Sequence, residues 1–396
     1  MSATQVLDLA SIPVIDADTH VIEPYDLWTS RVSTKKWGDR VPYIRRDENL
    51  GIDLWVAGDK ILGAGAAAAQ AGWKDAPPHH PPSLDVVDPS LWRAQDRLAL
   101  MDRYGIYAQI LYPNVAGFGA GRFADVGDPE LALALIQAYN DFLTDWSSAD
   151  PQRLIPIMAT PFWDIDVAIV EMHRCAAMGH RGIIMSQGPE YFGSPGLADP
   201  HWDRLWAAAQ DMELSVNFHI GGGDMSGVGL LPPSAGTAAN WASFPVTFFV
   251  SNAKTVAALI GGGVCHRFPR LKFVSVESGV GWLTFALEAL DWMWGECAVT
   301  KEHPEYDLLP TEYFKRQIYG CFWFEHGPGL DAALATIGPD NILYETDFPH
   351  PTSMSPGPAS EALAPKDFIA QKLGYLGPEV LQKVLHDNAA NVYHLR

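Results

Sequence analysis

Residues 14–20 read VIDADTH, an apolar start followed by Asp16, Asp18 and His20 at every second position. In a strand, alternate residues share a face, so two carboxylates and an imidazole point the same way. Other short apolar runs end in similar chemistry. NFHI carries His219, VSVES carries Glu277, FEH carries Glu325 and His326, and YETDFPHP carries Glu345, Asp347 and His350. A mix of oxygen and imidazole donors without thiolates suits Zn²⁺, Mn²⁺ or Fe²⁺. Taken singly, each has an ordinary explanation: a buried histidine, a turn-capping aspartate, a glutamate on backbone amides. Together they make a metal site only if one fold gathers the ends of distant strands.

The elements predicted between them supply such a fold. Short apolar strands are expected at 14–20, 107–114, 154–162, 181–186, 215–220, 272–278, 318–326 and 341–348. Helical periodicity follows at 128–150, 164–179, 201–212, 240–263, 279–298 and 329–338, the fourth broken at Pro245, and two helical stretches run to about 387. Another helix, 91–105, precedes the second strand. Alternating β and α with nearly continuous apolar strands means a parallel sheet buried on both faces. Eight such units predict a (β/α)8 TIM barrel, one domain over 1–396 with extra C-terminal helices, whose chemistry sits at the carboxyl ends of the strands. The segment 24–90, with LGAGAAAAQAGW and DAPPHHPPSLD, is expected to be an irregular insertion after strand 1: a flexible lid over the barrel mouth or a structural decoration. No GxGxxG or GxxxxGK[ST] follows a strand, so nucleotide-binding versions lose support.

Composition narrows the partners. With 27 Lys+Arg against 47 Asp+Glu, the formal net charge of −20 disfavours nucleic acid and acidic membrane surfaces. No uninterrupted apolar run of about 18 residues marks a membrane span. The opening MSATQVLDLASIP lacks the pattern of a signal peptide, and Cys175, Cys265, Cys297 and Cys321 are scattered, as in a reduced cytoplasmic protein. The Trp-rich GWLTFALEALDWMWG offers more apolar surface than one barrel needs, which predicts a homodimer acting on a small molecule. No Ser stands in a GxSxG elbow, so a covalent hydrolase is weakly supported.

DADTH, His219, the run GGGVCHRFPRLKFVSVESGVGW, ETDFPHP and the closing LHDNAANVYHL together resemble the amidohydrolase-related metal enzymes, in the branch of aminocarboxymuconate-semialdehyde decarboxylase. The resemblance implies one divalent metal, zinc first and manganese or iron as alternatives, bound by Asp18, His20, His219 and Asp347. Asp18 stands where many members have His or Glu, and Glu277 where the decarboxylases usually have His. Asp16 becomes a supporting residue. Two mechanisms follow. In a hydrolase, metal-bound water attacks a carbonyl of a small aromatic or cyclic substrate, with Asp347 taking its proton and Glu277 passing one to the leaving group. In a non-oxidative decarboxylase of an aromatic or unsaturated acid, the metal holds the carboxylate and Asp347 protonates the carbon. A carboxylate at Glu277 would repel a substrate carboxylate, which favours hydrolysis. A third reading, an inactive binding barrel, has no physical need for so many clustered buried ligands.

Overall fold

The computed structural model describes residues 11–223 and 231–395. The fold is α/β with parallel strands. Along the chain it runs β1 (Val14–His20), an antiparallel sheet of β2 (Tyr43–Asp47), β3 (Ile52–Ala57) and β4 (Lys60–Ala64), then α1 (Ala94–Tyr104) and β5 (Ile106–Tyr112). Next come α2 (Pro129–Ser147), β6 (Leu154–Pro156), β7 (Met158–Ala159), α3 (Ile165–Ala177), β8 (Gly182–Ile184), α4 (Asp203–Asp211) and β9 (Ser215–His219). The second half holds α5 (Thr237–Phe249), α6 (Asn252–Gly261), β10 (Phe273–Val276), α7 (Gly281–Glu296), α8 (Pro310–Gln317), β11 (Ile318–Phe322), α9 (Pro328–Ile337) and β12 (Ile342–Tyr344). Helical turns over 365–373 and 378–392 finish the chain.

All eight expected strands are present, the third split at Ile157 into β6 and β7. They pair in chain order, β1-β5-β6 in one parallel sheet and β7-β8-β9-β10-β11-β12 in the other. The segment after β12 returns to β1: His20 N donates to Phe348 O at 2.7 Å and Asp347 N to Asp18 O at 3.0 Å. The helix starts follow their sequence signals. Asp128 accepts from Leu131 N ahead of Pro129, and Asp164 accepts from Asp166 N and Val167 N.

Two expectations change. The 24–90 segment is not irregular throughout, because β2–β4 form a meander within it. Its turns are encoded locally: Asp47 accepts from Asn49 N and Leu50 N, and Gly58 takes a left-handed φ of +57°. Trp55 on β3 is buried edge-on against Trp28, with ring centres 5.1 Å apart, which ties the meander to the core. The helix after β9 runs through Pro245 and breaks at Val250–Ser251 instead. Pro245 removes one backbone donor in a half-exposed stretch, where water can satisfy the freed carbonyl. The span Thr237–Gly261 is, by length and composition alone, apolar enough to cross a membrane. The apolar face expected on GWLTFALEALDWMWG is there, with Phe285 79% and Trp292 65% exposed on α7.

A buried Arg97 on α1 ties the strand ends together. Its Nε donates to Ser90 O at 2.7 Å, one terminal nitrogen to Gln109 Oε1 at 3.1 Å, and the other to His20 O at 2.9 Å. Gln109 Nε2 passes the link to Asp16 Oδ2 at 3.2 Å. Asp16 also accepts from Thr346 N at 2.8 Å and Thr346 Oγ1 at 2.6 Å. One hydrogen-bonded chain therefore holds the ends of β1, β5 and β12 together. Arg97→Ala should destabilise the protein by roughly 3–5 kcal/mol in urea unfolding, because it strands Gln109 Oε1 and the carbonyls of Ser90 and His20 without their donor. A loss below about 1 kcal/mol would contradict that role.

Candidate metal centre and active site

The strand ends converge. Asp18 and His20 from β1, His219 from β9, Glu277 just past β10, and Asp347 and His350 just past β12 are all buried. His20 Nε2 lies 3.4 Å from Asp18 Oδ1 and 3.6 Å from Asp347 Oδ1. His219 Nε2 lies 3.6 Å from Asp18 Oδ2 and 3.4 Å from Glu277 Oε2. The four residues expected as ligands are thus brought together, and Glu277 stands beside them.

Tautomer logic shows what the cluster lacks. His20 Nδ1 is 3.1 Å from Pro113 O and His219 Nδ1 is 2.8 Å from Ile220 O. Carbonyls only accept, so both Nδ1 atoms carry hydrogen and, in the neutral rings that a cation would select, both Nε2 atoms keep their lone pairs. Those two Nε2 atoms face each other at 3.0 Å. Asp18 Oδ1, Asp18 Oδ2 and Asp347 Oδ1 are buried with no hydrogen-bond donor. Five acceptor atoms meeting without a donor fit a cation, and ligand atoms of Asp18, His20 and His219 lie within 4.8 Å of one another. The groups respond as that crowding requires. Burial opposes charge on His219, yet Asp18 and Glu277 outweigh it and raise its pKa. Burial, then the neighbouring His350 and His219, lowers His20 well below the usual range. Burial and Asp18 push Asp347 well up, and burial and Asp347 do the same to Glu277.

Glu277 and Asp347 occupy left-handed backbone at φ +53° and +55°, a strain of roughly 1–3 kcal/mol each that turns both carboxyls into the site. The Thr352 hydroxyl donates to Asp347 Oδ2 and lies 3.3 Å from Glu277 Oε1, bridging them.

Other strand-end residues do different work. Asp16 faces Thr346 and Gln109, as a supporting residue; burial raises its pKa to about 7 despite those donors. Glu325 accepts from Val280 N and Gly281 N and so caps α7, while His326 is exposed. Glu345 Oε2 accepts from Glu277 N at 3.2 Å. Sequence reasoning missed Glu23, Asn114, Thr352 and the engagement of His350. His350 Nε2 meets Asn114 Oδ1 at 2.6 Å, and its ring stacks on His20 with centres 3.8 Å apart. Asn114 Nδ2 is committed to Val21 O and Glu23 Oε2, which fixes its oxygen toward His350. Its place three residues after Asp347 was a signal for His350; nothing local marks Glu23 or Thr352.

The amidohydrolase family model matches residues 15–395, and the chain belongs to that family. It is a metal-dependent enzyme of the superfamily's hydrolase or carboxy-lyase kind. A gamma-resorcylate decarboxylase of Polaromonas sp. is 25% identical over 290 residues, covering 70% of this chain and 81% of that protein. A crystal structure of an amidohydrolase from Mycobacterium avium subsp. paratuberculosis matches with TM-score 0.74 and 21% identity over 97% of this chain and 99% of that one. A dihydroxybenzoic acid decarboxylase from Polaromonas sp., solved with manganese and the inhibitor 2-nitroresorcinol, matches with TM-score 0.62 and 20% identity over 96% and 97%.

Metal binding must displace protons from this cluster. With His219 and Asp347 both raised, protons compete for the ligands at higher pH than they would for free side chains. Apparent Mn²⁺ affinity should therefore fall as the pH is lowered from 8 to 6, because protons compete with the ion for the ligands. Calorimetric titration at three pH values checks this, and a flat profile would contradict the ligand assignment.

Proposed function

We propose that this chain is a non-oxidative decarboxylase of an aromatic carboxylic acid, built on a closed (β/α)8 barrel. The hydrogen bonds that return residues 347 and 348 to β1, with strands paired in chain order, support closure. The donorless acceptor cluster at the strand ends is the observation that carries the site. Relatives that decarboxylate dihydroxybenzoates favour carboxy-lyase over the hydrolase that Glu277 first suggested. The physical objection to decarboxylation also weakens. Burial and Asp347 raise the pKa of Glu277, which lessens the repulsion it offers a substrate carboxylate.

Asp18, His20, His219 and Asp347 are the residues that would hold the ion, and manganese is the first metal to test because a neighbour carries it. A divalent cation held there would supply Lewis acidity and a counter-charge for a substrate carboxylate. Asp347 gives a proton to the ring carbon that bears the carboxylate. That C–C bond then breaks, its electron pair stays with the ring, and CO₂ departs. Thr352, between Asp347 Oδ2 and Glu277 Oε1, can return a proton from Glu277 to Asp347. Phe118, stacked on His219 at 4.5 Å, walls one side and excludes water.

Mn²⁺-loaded protein should release CO₂ from 2-hydroxybenzoates. Asp347→Asn should lower that rate by about 10²–10⁴-fold while the circular dichroism spectrum is unchanged. Hydrolysis of amides, esters or lactones with no CO₂ from any aromatic acid would overturn the proposal and restore the hydrolase.

A further inference from the structure

Beside the cluster lies a cavity of about 170 Å³. Its inner end is formed by Glu277, His350 and Thr352, and its outer wall by Trp241, Phe244 and Phe248 of α5. The wall is an aromatic stack: Trp241 meets Phe244 edge-on at 4.8 Å, and Phe244 meets Phe248 edge-on at 5.7 Å. A cavity of roughly 150 Å³ holds one benzene ring, so this one takes a single ring with a small substituent.

Charge decides which substituent. Among the described residues, no lysine or arginine lines the cavity. Segment 224–230, outside the described residues, reads DMSGVGL and has none to contribute. Arg122, on the loop after β5, donates instead to Leu62 O and lines a separate cavity beside Arg40 and Lys60. A ring whose carboxylate sat on the metal would have its far edge among aromatic side chains, with Glu277 the one carboxyl among the described residues lining the cavity. A second carboxylate there would be desolvated without a partner.

We infer that the α5 wall makes this site selective for single-ring aromatic monocarboxylates with an apolar group opposite the carboxylate, and that it rejects dicarboxylates. Trp241, Phe244 and Phe248 are specificity-determining residues. That the ligand is an aromatic acid held by the metal rests on the decarboxylase reading; the selectivity rests on the wall.

Two acids with the same metal-binding end separate these claims: 2-hydroxy-4-methylbenzoate and its 4-carboxy counterpart, titrated calorimetrically into Mn²⁺-loaded protein. The 4-carboxy acid should bind roughly 100-fold more weakly, as an unpaired charge in an apolar cavity requires. Phe244→Arg should narrow that gap at least tenfold by supplying the missing cation. Equal or tighter binding of the 4-carboxy acid to wild type, or no binding of either acid, would overturn the inference. CO₂ release is read in the same samples. Selective binding without CO₂ would sink the decarboxylase reading and leave the selectivity standing.

Discussion

The structure is organised around a repulsion. Two imidazole lone pairs face each other at 3.0 Å, and both oxygens of Asp18 and Oδ1 of Asp347 crowd them without a hydrogen-bond partner. Out of water such an arrangement is strongly unfavourable unless something positive stands at its centre. Folding assembles it because other parts of the chain offset the strain. Carbonyls of Pro113 and Ile220 fix the two histidine tautomers, and the Arg97–Gln109–Asp16 chain clamps the strands beneath. The same bonds that hold the strand ends together aim their acceptors at one point.

That constraint also sorts the carboxyls by role. Asp18 has no donor at all and is suited to give its charge to an ion. Asp16, a layer away, has three donors from Thr346 and Gln109 and is structural. Glu277 and Asp347 share Thr352 and are both pushed up, Glu277 by burial and Asp347, and Asp347 by burial and Asp18. A sequence shows that Glu277 is a carboxyl, not that burial and Asp347 raise its pKa. The preference for hydrolysis came from reading it as an anion.

Much of the site was legible because a strand's period places chemistry on one face. DADTH and ETDFPHP announced themselves by clustered polar residues at the ends of apolar runs, and His219 by its place at the end of β9. What was not legible depends on distance through space. Glu23 reaches Asn114 N and Val115 N from 91 and 92 positions away, and Asn114 then orients His350. No local pattern encodes that relay. The meander at 43–64 was hidden for another reason: its strands are short and partly exposed, and Pro, Gly and Ala around them masked the alternation. The helix at Pro245 persisted because one lost donor is tolerable where water can replace it.

The central claim is that the converging acceptors hold one divalent cation. Elemental mass spectrometry of metal per chain, on the purified wild type after Mn²⁺ loading and desalting and on His219→Ala treated in parallel, tests it most directly. The account predicts about one ion per wild-type chain and little in the variant, with both proteins folded. A metal-free wild type, or a variant that keeps a full ion, would contradict it.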